Sequence, residues 1–246
     1  MVNTLFLHMG PGFHAQIERY LYGDEYSSID FWDQPCSLSF EELVNSACVK
    51  VQDIYRTSNQ QVTLIAHSFG GVLAEAISKV HPDIIKKIVL INSNADPFEC
   101  FVNLAEYTSK EKLDLDLIRN FTVPEKMKFV IEVASSPNFK DLYWTSKESQ
   151  VHWEEVFSRF DFMNTDTFLK VFSDFLTYKE KIKSEKTTWL GVVEVYQSVN
   201  DLLLKEDKNS NDWMLRFPNV QIFRNQPGGH YLHIENKKFA ELIFHN

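Results

Sequence analysis

Cysteine is scarce in this chain. Cys36, Cys48 and Cys100 are an odd number, and no pair has C-x-x-C spacing. That excludes a disulfide framework and a zinc site, and it predicts buried free thiols in a reducing compartment. Positive charge is also short. Lys and Arg number 25 against 34 Asp and Glu, a formal net charge of −9. No Lys/Arg cluster offsets this, so neither nucleic acid nor an anionic membrane is an expected partner. Long apolar runs are absent, and none approaches the ~18 residues that a membrane span needs. The amino-terminal residues Met1–His8 carry no basic region and only a short apolar run, so no secretory leader is read and a cytoplasmic setting is expected. The eight His residues are scattered, with no H-E-x-x-H or H-x-H spacing, and no G-x-G-x-x-G follows a strand run. No metal, dinucleotide or other cofactor is therefore expected.

What remains is an ordinary globular composition. The 246 residues are 44% hydrophobic and 24% charged, with 20 Phe. A chain of this size can bury roughly three-quarters of its surface on folding. Short apolar runs of strand length recur at Val2–Leu7, Ser28–Trp32, Gln61–Ala66, Ile84–Ile91, Gly191–Tyr196 and Val220–Phe223. Helical patterns lie between them. Ser39 and Glu42 form a capping box ahead of Leu43, Ala47, Val51 and Ile54, and that helix should end near Ser58. Gly70–Val80, Glu206–Phe217 and Asn236–Phe244 are further helices. Strand alternating with helix predicts an α/β fold with a parallel sheet.

From about Pro97 to Lys186 the alternation stops. This stretch reads as helices around Val102–Thr108, Leu113–Asn120, Glu125–Ala134, His152–Phe160 and Thr167–Tyr178, rich in aromatics. The division expected is a core of residues 1–97 and 187–246, with residues 98–186 a helical cap inserted between two core strands.

The segment Ala66-His67-Ser68-Phe69-Gly70-Gly71 places Ser68 on the turn from a buried strand into a helix. A sharp strand-to-helix turn needs small residues two before and two after its centre. Ala66 and Gly70 meet that need, and the helix start offers backbone N–H groups to a developing anion. An ordinary tight turn would also account for S-x-G-G. In this position the segment resembles the nucleophile elbow of the α/β-hydrolase fold superfamily, with Ala66 in place of the first Gly.

The resemblance implies the rest of a site. The family carries a catalytic His after the last strand, and His230 in Gly228-Gly229-His230 matches it; His233 is the competitor in the same loop. The triad acid follows an earlier strand, which points to Asp201, with Asp96 as the alternative acid. The order Ser68, Asp201, His230 is the order of this fold. His8-Met9-Gly10-Pro11-Gly12 is similar to the H-G-G-P-G segment of the proline iminopeptidase branch. By that match Gly10 and Phe69 supply the oxyanion-hole N–H groups, and His8 holds the loop. Phe31-Trp32-Asp33-Gln34-Pro35 weakly resembles the Y-D-Q-R-G of the same branch. The chain as given begins on the strand leading into this loop, so a sheet of about six strands, all parallel, flanked by helices, is expected.

A Ser at the elbow suits attack on acyl carbon rather than on the sp³ carbons that relatives with an Asp there attack. The expected activity is a carboxylic-ester or thioester hydrolase acting on a small to medium, largely apolar acyl substrate. The alternatives are a proline iminopeptidase-like amidase, or a catalytically silent ligand-binding homologue. The cap aromatics Phe101, Phe129, Tyr143, Trp144, Trp153, Phe157, Phe160 and Phe162 are candidates for an acyl pocket, and Glu132 or Glu154 for binding a substrate amine. Monomer and homodimer are both compatible with the sequence.

Overall fold

The computed structural model describes residues 1–37, 39–109, 112–160, 164–181 and 187–245. Six strands form one sheet: β1 (Thr4–Leu7), β2 (Ile29–Phe31), β3 (Val62–His67), β4 (Ile85–Ile91), β5 (Val192–Ser198) and β6 (Val220–Gln226). Their order is β2-β1-β3-β4-β5-β6, and every pairing is parallel. The fold class expected from the sequence is the fold observed.

Side-chain alternation explains how the sheet is covered, because successive strand residues point to opposite faces. Leu5, Leu7, Leu64, Ala66, Ile88, Leu90, Val193 and Val195 share one core with Leu43, Ala47, Val51 and Ile54 of α2 (Phe40–Ser58) and Leu73 and Ile77 of α3 (Gly70–Val80). Trp213 of α9 (Glu206–Arg216) belongs to the same core. The intervening residues Phe6, Ile65, Val89, Ile91 and Tyr196 face the other way. They pack with Tyr22 of α1 (Gln16–Tyr22) and with Phe239, Ile243 and Phe244 of α11 (Lys237–Phe244). A sheet covered on both faces needs strands that are apolar throughout, and β3 is buried at all six positions.

The strand order fixes where a site can form. From β1 the chain moves to β2 on one side, then returns to β3 on the other. The crevice at the carboxyl ends of β1 and β3 is thus the switch point of the sheet, where loops part to admit a ligand. The loop holding Gly10 follows β1 and Ser68 follows β3.

Between β4 and β5 lie α4 (Pro97–Thr108), α5 (Leu115–Arg119), α6 (Val123–Ala134), α7 (Lys147–Phe157) and α8 (Thr165–Lys181), with no strand among the described residues. The helices expected here are present with shifted ends. α4 begins five residues earlier because Asp96 caps it, with Pro97 at its first position. α7 begins at Lys147 on a Ser146 cap and ends at Phe157. Two of the contacts that fasten this region involve α8. The Asp174 carboxylate on α8 accepts the Phe40 N–H that opens α2, at 2.8 Å. Lys179 on α8 pairs with Asp96, bringing the region's two ends together.

Two α-helices had no sequence signal, α1 and the single turn α10 (Leu232–Glu235). α1 carries polar residues between its buried ones and has no side-chain cap. One expectation about cysteine is corrected: Cys48 and Cys100 are buried, but Cys36 is exposed. It lies in the irregular segment after β2, where no apolar face covers it.

The two-faced core makes a direct prediction. Leu73 is fully buried on the α3 face, so Leu73→Ala should cost about 2–5 kcal/mol by leaving a cavity. Urea denaturation measures this, and a loss below about 0.5 kcal/mol would contradict the packing described.

Candidate active site

Ser68 adopts φ 54, a left-handed conformation that costs a non-glycine residue energy and persists only where its surroundings enforce it. Its N–H donates to the Ile91 carbonyl (3.0 Å), and its carbonyl accepts the Ser93 hydroxyl (2.6 Å) and the Gly71 N–H (3.1 Å). The two glycines that follow are required by space. A Cβ on Gly70 would stand 2.3 Å from the Leu7 carbonyl oxygen, and one on Gly71 would stand 1.8 Å from Ser93 Oγ. Without side chains there, α3 closes onto β1 and the Ser68 turn tightens.

His230 Nε2 lies 3.0 Å from Ser68 Oγ, and its Nδ1 lies 2.8 Å from Asp201 Oδ2. A carboxylate can only accept, so Nδ1 carries the proton and Nε2 turns its lone pair to the serine hydroxyl. The His230 and Asp201 side chains are fully buried. The other Asp201 oxygen accepts the Leu203 N–H at 2.9 Å, which fixes the carboxylate in its loop.

The alternative assignments are not brought to this cluster. Asp96 is occupied at the start of α4, accepting the Phe98 N–H (3.3 Å) and pairing with Lys179. His233 turns into the core, its Nε2 donating to Glu18 (3.1 Å). Glu18, His67 and His233 are the one grouping of potential metal ligands among the described residues, with donor atoms within 4.8 Å of one another. Two of the three are already bonded to each other.

The loop after β1 is built around His8. Its Nδ1 donates to the Met9 carbonyl (2.8 Å), and its Nε2 accepts the Gln34 N–H (3.4 Å). The Gln34 side chain donates to the His8 carbonyl (3.2 Å). Gly10 takes φ 59, and Gly10 and Phe69 line the cavity beside Ser68. Burial drives the His8 pKa down to about 4, from an ordinary 6.5. Burial, with the neighbouring His233 and His230, also lowers that of His67. His67 is held in the core, its Nε2 donating to the His230 carbonyl at 2.9 Å.

Sequence reasoning missed Asn92, which lies just beyond β4, fully buried at φ 43. Its amide nitrogen lies 2.7 Å from Ser198 Oγ, 2.8 Å from the Gly229 carbonyl and 3.0 Å from the His230 carbonyl, while its oxygen accepts the Ser198 N–H at 2.8 Å. One side chain thus binds the end of β5 to the His230 loop. The available signal was an Asn directly after a buried strand, a residue type that tolerates φ > 0.

The cavity over Ser68 has a volume of about 800 Å³ and is mainly apolar. Of the aromatics anticipated there, Phe101, Tyr143, Trp144, Phe157 and Phe160 line it. Phe129 lies instead on a separate groove, together with Glu132, and Trp153 packs with Trp144, Phe157 and Tyr231. Phe162 lies outside the described residues. Glu154 does reach the cavity.

The family model for the alpha/beta hydrolase fold matches residues 36–237. The chain therefore belongs to the α/β-hydrolase family. Solved structures agree on the fold. A proline iminopeptidase-related protein from Thermus thermophilus is 17% identical, with TM-score 0.66 over 98% of this chain and 86% of that one. The 2-hydroxy-6-oxo-6-phenylhexa-2,4-dienoate hydrolase of a Rhodococcus species is 16% identical, with TM-score 0.64 over 98% and 88%. An esterase from Exiguobacterium antarcticum is 14% identical, with TM-score 0.60 over 99% and 90%. At these identities the likeness is one of fold. No curated protein matches significantly by sequence. Among the described residues, no helix is long and apolar enough to cross a membrane.

Two expectations follow. Asn92→Ala strips the partner from the buried Gly229 carbonyl and from the Ser198 N–H, and takes one of two donors from the His230 carbonyl, so it should cost about 3 kcal/mol in urea denaturation. Unchanged stability would refute the bracing role. The second concerns pH. The unfolded chain protonates His8 near 6.5, the folded one only near 4. Between those values the unfolded state binds the extra proton. His8 should therefore withdraw about 3 kcal/mol of stability as pH falls from 6.5 to 4. The slope over that window should shrink in His8→Asn, measured by denaturation at stepped pH.

Proposed function

We propose that this protein is a serine hydrolase of acyl compounds, with Ser68 as nucleophile, His230 as general base and acid, and Asp201 as the residue that orients the imidazole. The observation that carries this reading is the continuous chain Asp201 Oδ2–His230 Nδ1 (2.8 Å), His230 Nε2–Ser68 Oγ (3.0 Å). In it the Ser68 hydroxyl proton passes to Nε2 as Oγ bonds to the substrate carbonyl carbon. Asp201 stabilises the imidazolium so formed. The carbonyl oxygen gains negative charge, which the N–H groups of Gly10 and Phe69 receive. Collapse of the adduct breaks the bond to the leaving group, which takes the proton from Nε2. Water then repeats the sequence on the acyl-enzyme and returns Ser68.

The helical region 98–186 serves as a lid over the carboxyl edge of the sheet. Its aromatics make the cavity apolar, so a carboxylic ester or thioester with an apolar acyl group is the favoured substrate. Few polar groups in such a cavity fix orientation. A second reading, an aminopeptidase-like amidase, is supported by Glu154 in the cavity wall, by the His8–Gly12 segment and by the fold shared with a proline iminopeptidase-related protein.

A fluorophosphonate probe should label the wild type and not Ser68→Ala. Equal labelling of both sinks the nucleophile assignment. Asp201→Asn should lower turnover of a p-nitrophenyl ester by about 10³–10⁴-fold, because the imidazole loses its tautomer; near-normal rates would remove Asp201 from the mechanism. Turnover of a prolyl anilide with no ester turnover would replace the esterase reading with the amidase one.

A further inference from the structure

The loop bearing His230 is joined to the lid by a single carboxylate. Glu235, at the end of α10, accepts the Gly229 N–H on Oε2 at 2.7 Å. Its other oxygen, Oε1, accepts three donors from the lid: the Thr145 N–H (3.2 Å), the Thr145 hydroxyl (2.8 Å) and the Ser149 hydroxyl (2.5 Å). One oxygen thus serves the residue before His230 and the other serves the lid. Around this clasp the two segments touch at their backbones. The His230 N–H donates to the Tyr143 carbonyl at 2.9 Å. A Cβ on Gly229 would stand 2.7 Å from that same oxygen, so only glycine lets the chains approach this closely. The Trp144 ring stacks on Tyr231, with centroids 4.7 Å apart and planes 21° apart.

We propose that Glu235 is a positioning residue that clasps residues 143–149 of the lid to the His230 loop, so that the imidazole is set for reaction only while this segment is docked. The inference rests on the reading of His230 as the base. Tyr143 and Trp144 also form cavity wall beside Ser68. A movement of that wall to pass substrate or product therefore removes the acceptor of the His230 N–H and the three donors on Glu235 together. Docking of the wall restores both. The triad geometry and the docked cavity wall are one state of the molecule, held by hydrogen bonds to a carboxylate, which are the stronger kind.

The test removes the two hydroxyl donors on the lid side of the clasp and leaves the Thr145 N–H and the Glu235–Gly229 bond in place. In Thr145→Val with Ser149→Ala, kcat for a p-nitrophenyl ester should fall about tenfold with KM changed less than about threefold, the signature of an interaction that acts on the chemical step. Amide exchange at His230, whose acceptor lies on the lid, should accelerate about tenfold. Thr145→Ser, which keeps the hydroxyl, should retain wild-type values in both measurements. Unchanged exchange at His230 in the double variant overturns the clasp. A loss confined to KM also overturns it, since the segment would then only shape the pocket. Ester turnover that survives Ser68→Ala is a separate failure: it removes the hydrolase reading, while the exchange measurement still decides whether the clasp exists.

Discussion

The close approach of α3 to β1 is the constraint on which the site depends. Ser68 holds a left-handed backbone because Gly70 lies against the Leu7 carbonyl and Gly71 against Ser93. A methyl group at either position would collide with the neighbouring strand or loop. The turn cannot relax without moving the helix, and the helix cannot move without opening the core that Leu73 and Ile77 share with Leu5, Leu7 and Leu64. Strain at one residue is thus held by packing over a whole face of the sheet. The strand order adds the second half of the arrangement. Because the sheet reverses direction of growth at β1 and β3, the loops after these strands diverge and leave a crevice above Ser68.

Placing the imidazole requires a different kind of support. His230 sits on a loop after the exposed edge strand β6, where the sheet itself offers little packing. The chain compensates with buried polar contacts. Asn92 binds the loop's carbonyls from below, His67 donates to the His230 carbonyl, and the helical region bonds the His230 N–H from above. Each of these contacts joins elements distant in sequence. A loop held this way is rigid only if every partner is present, since an unpaired buried group costs far more than a formed bond contributes.

Much of this was legible in the sequence, for physical reasons that also explain the exceptions. The six apolar runs were readable because strands covered on both faces are apolar throughout, and Ser68 because a tight turn demands small neighbours at fixed spacing. The glycines before it favoured His230 over His233, and the family's usual acid position favoured Asp201 over Asp96; the two side chains lie in hydrogen-bond contact with one another. Asn92 escaped notice because its partners at Ser198 and Gly229 are more than a hundred residues away. α1 escaped because its buried face includes Glu18, a residue that reads as solvated until His233 is seen opposite it. Within the helical region, composition marked the aromatics but not their directions: Phe101 and Phe160 turned out on the cavity, Phe129 on another groove.

The central claim is that Ser68 carries the acyl group during turnover. Mixing the protein in excess with a p-nitrophenyl ester, quenching in acid and mapping the peptides by mass spectrometry tests it most directly. Nitrophenolate should be released in a fast phase, with the acyl mass on the peptide containing Ser68, and both should be lost in Ser68→Ala. Fast release with the acyl group on another residue, or release undiminished in Ser68→Ala, would contradict it.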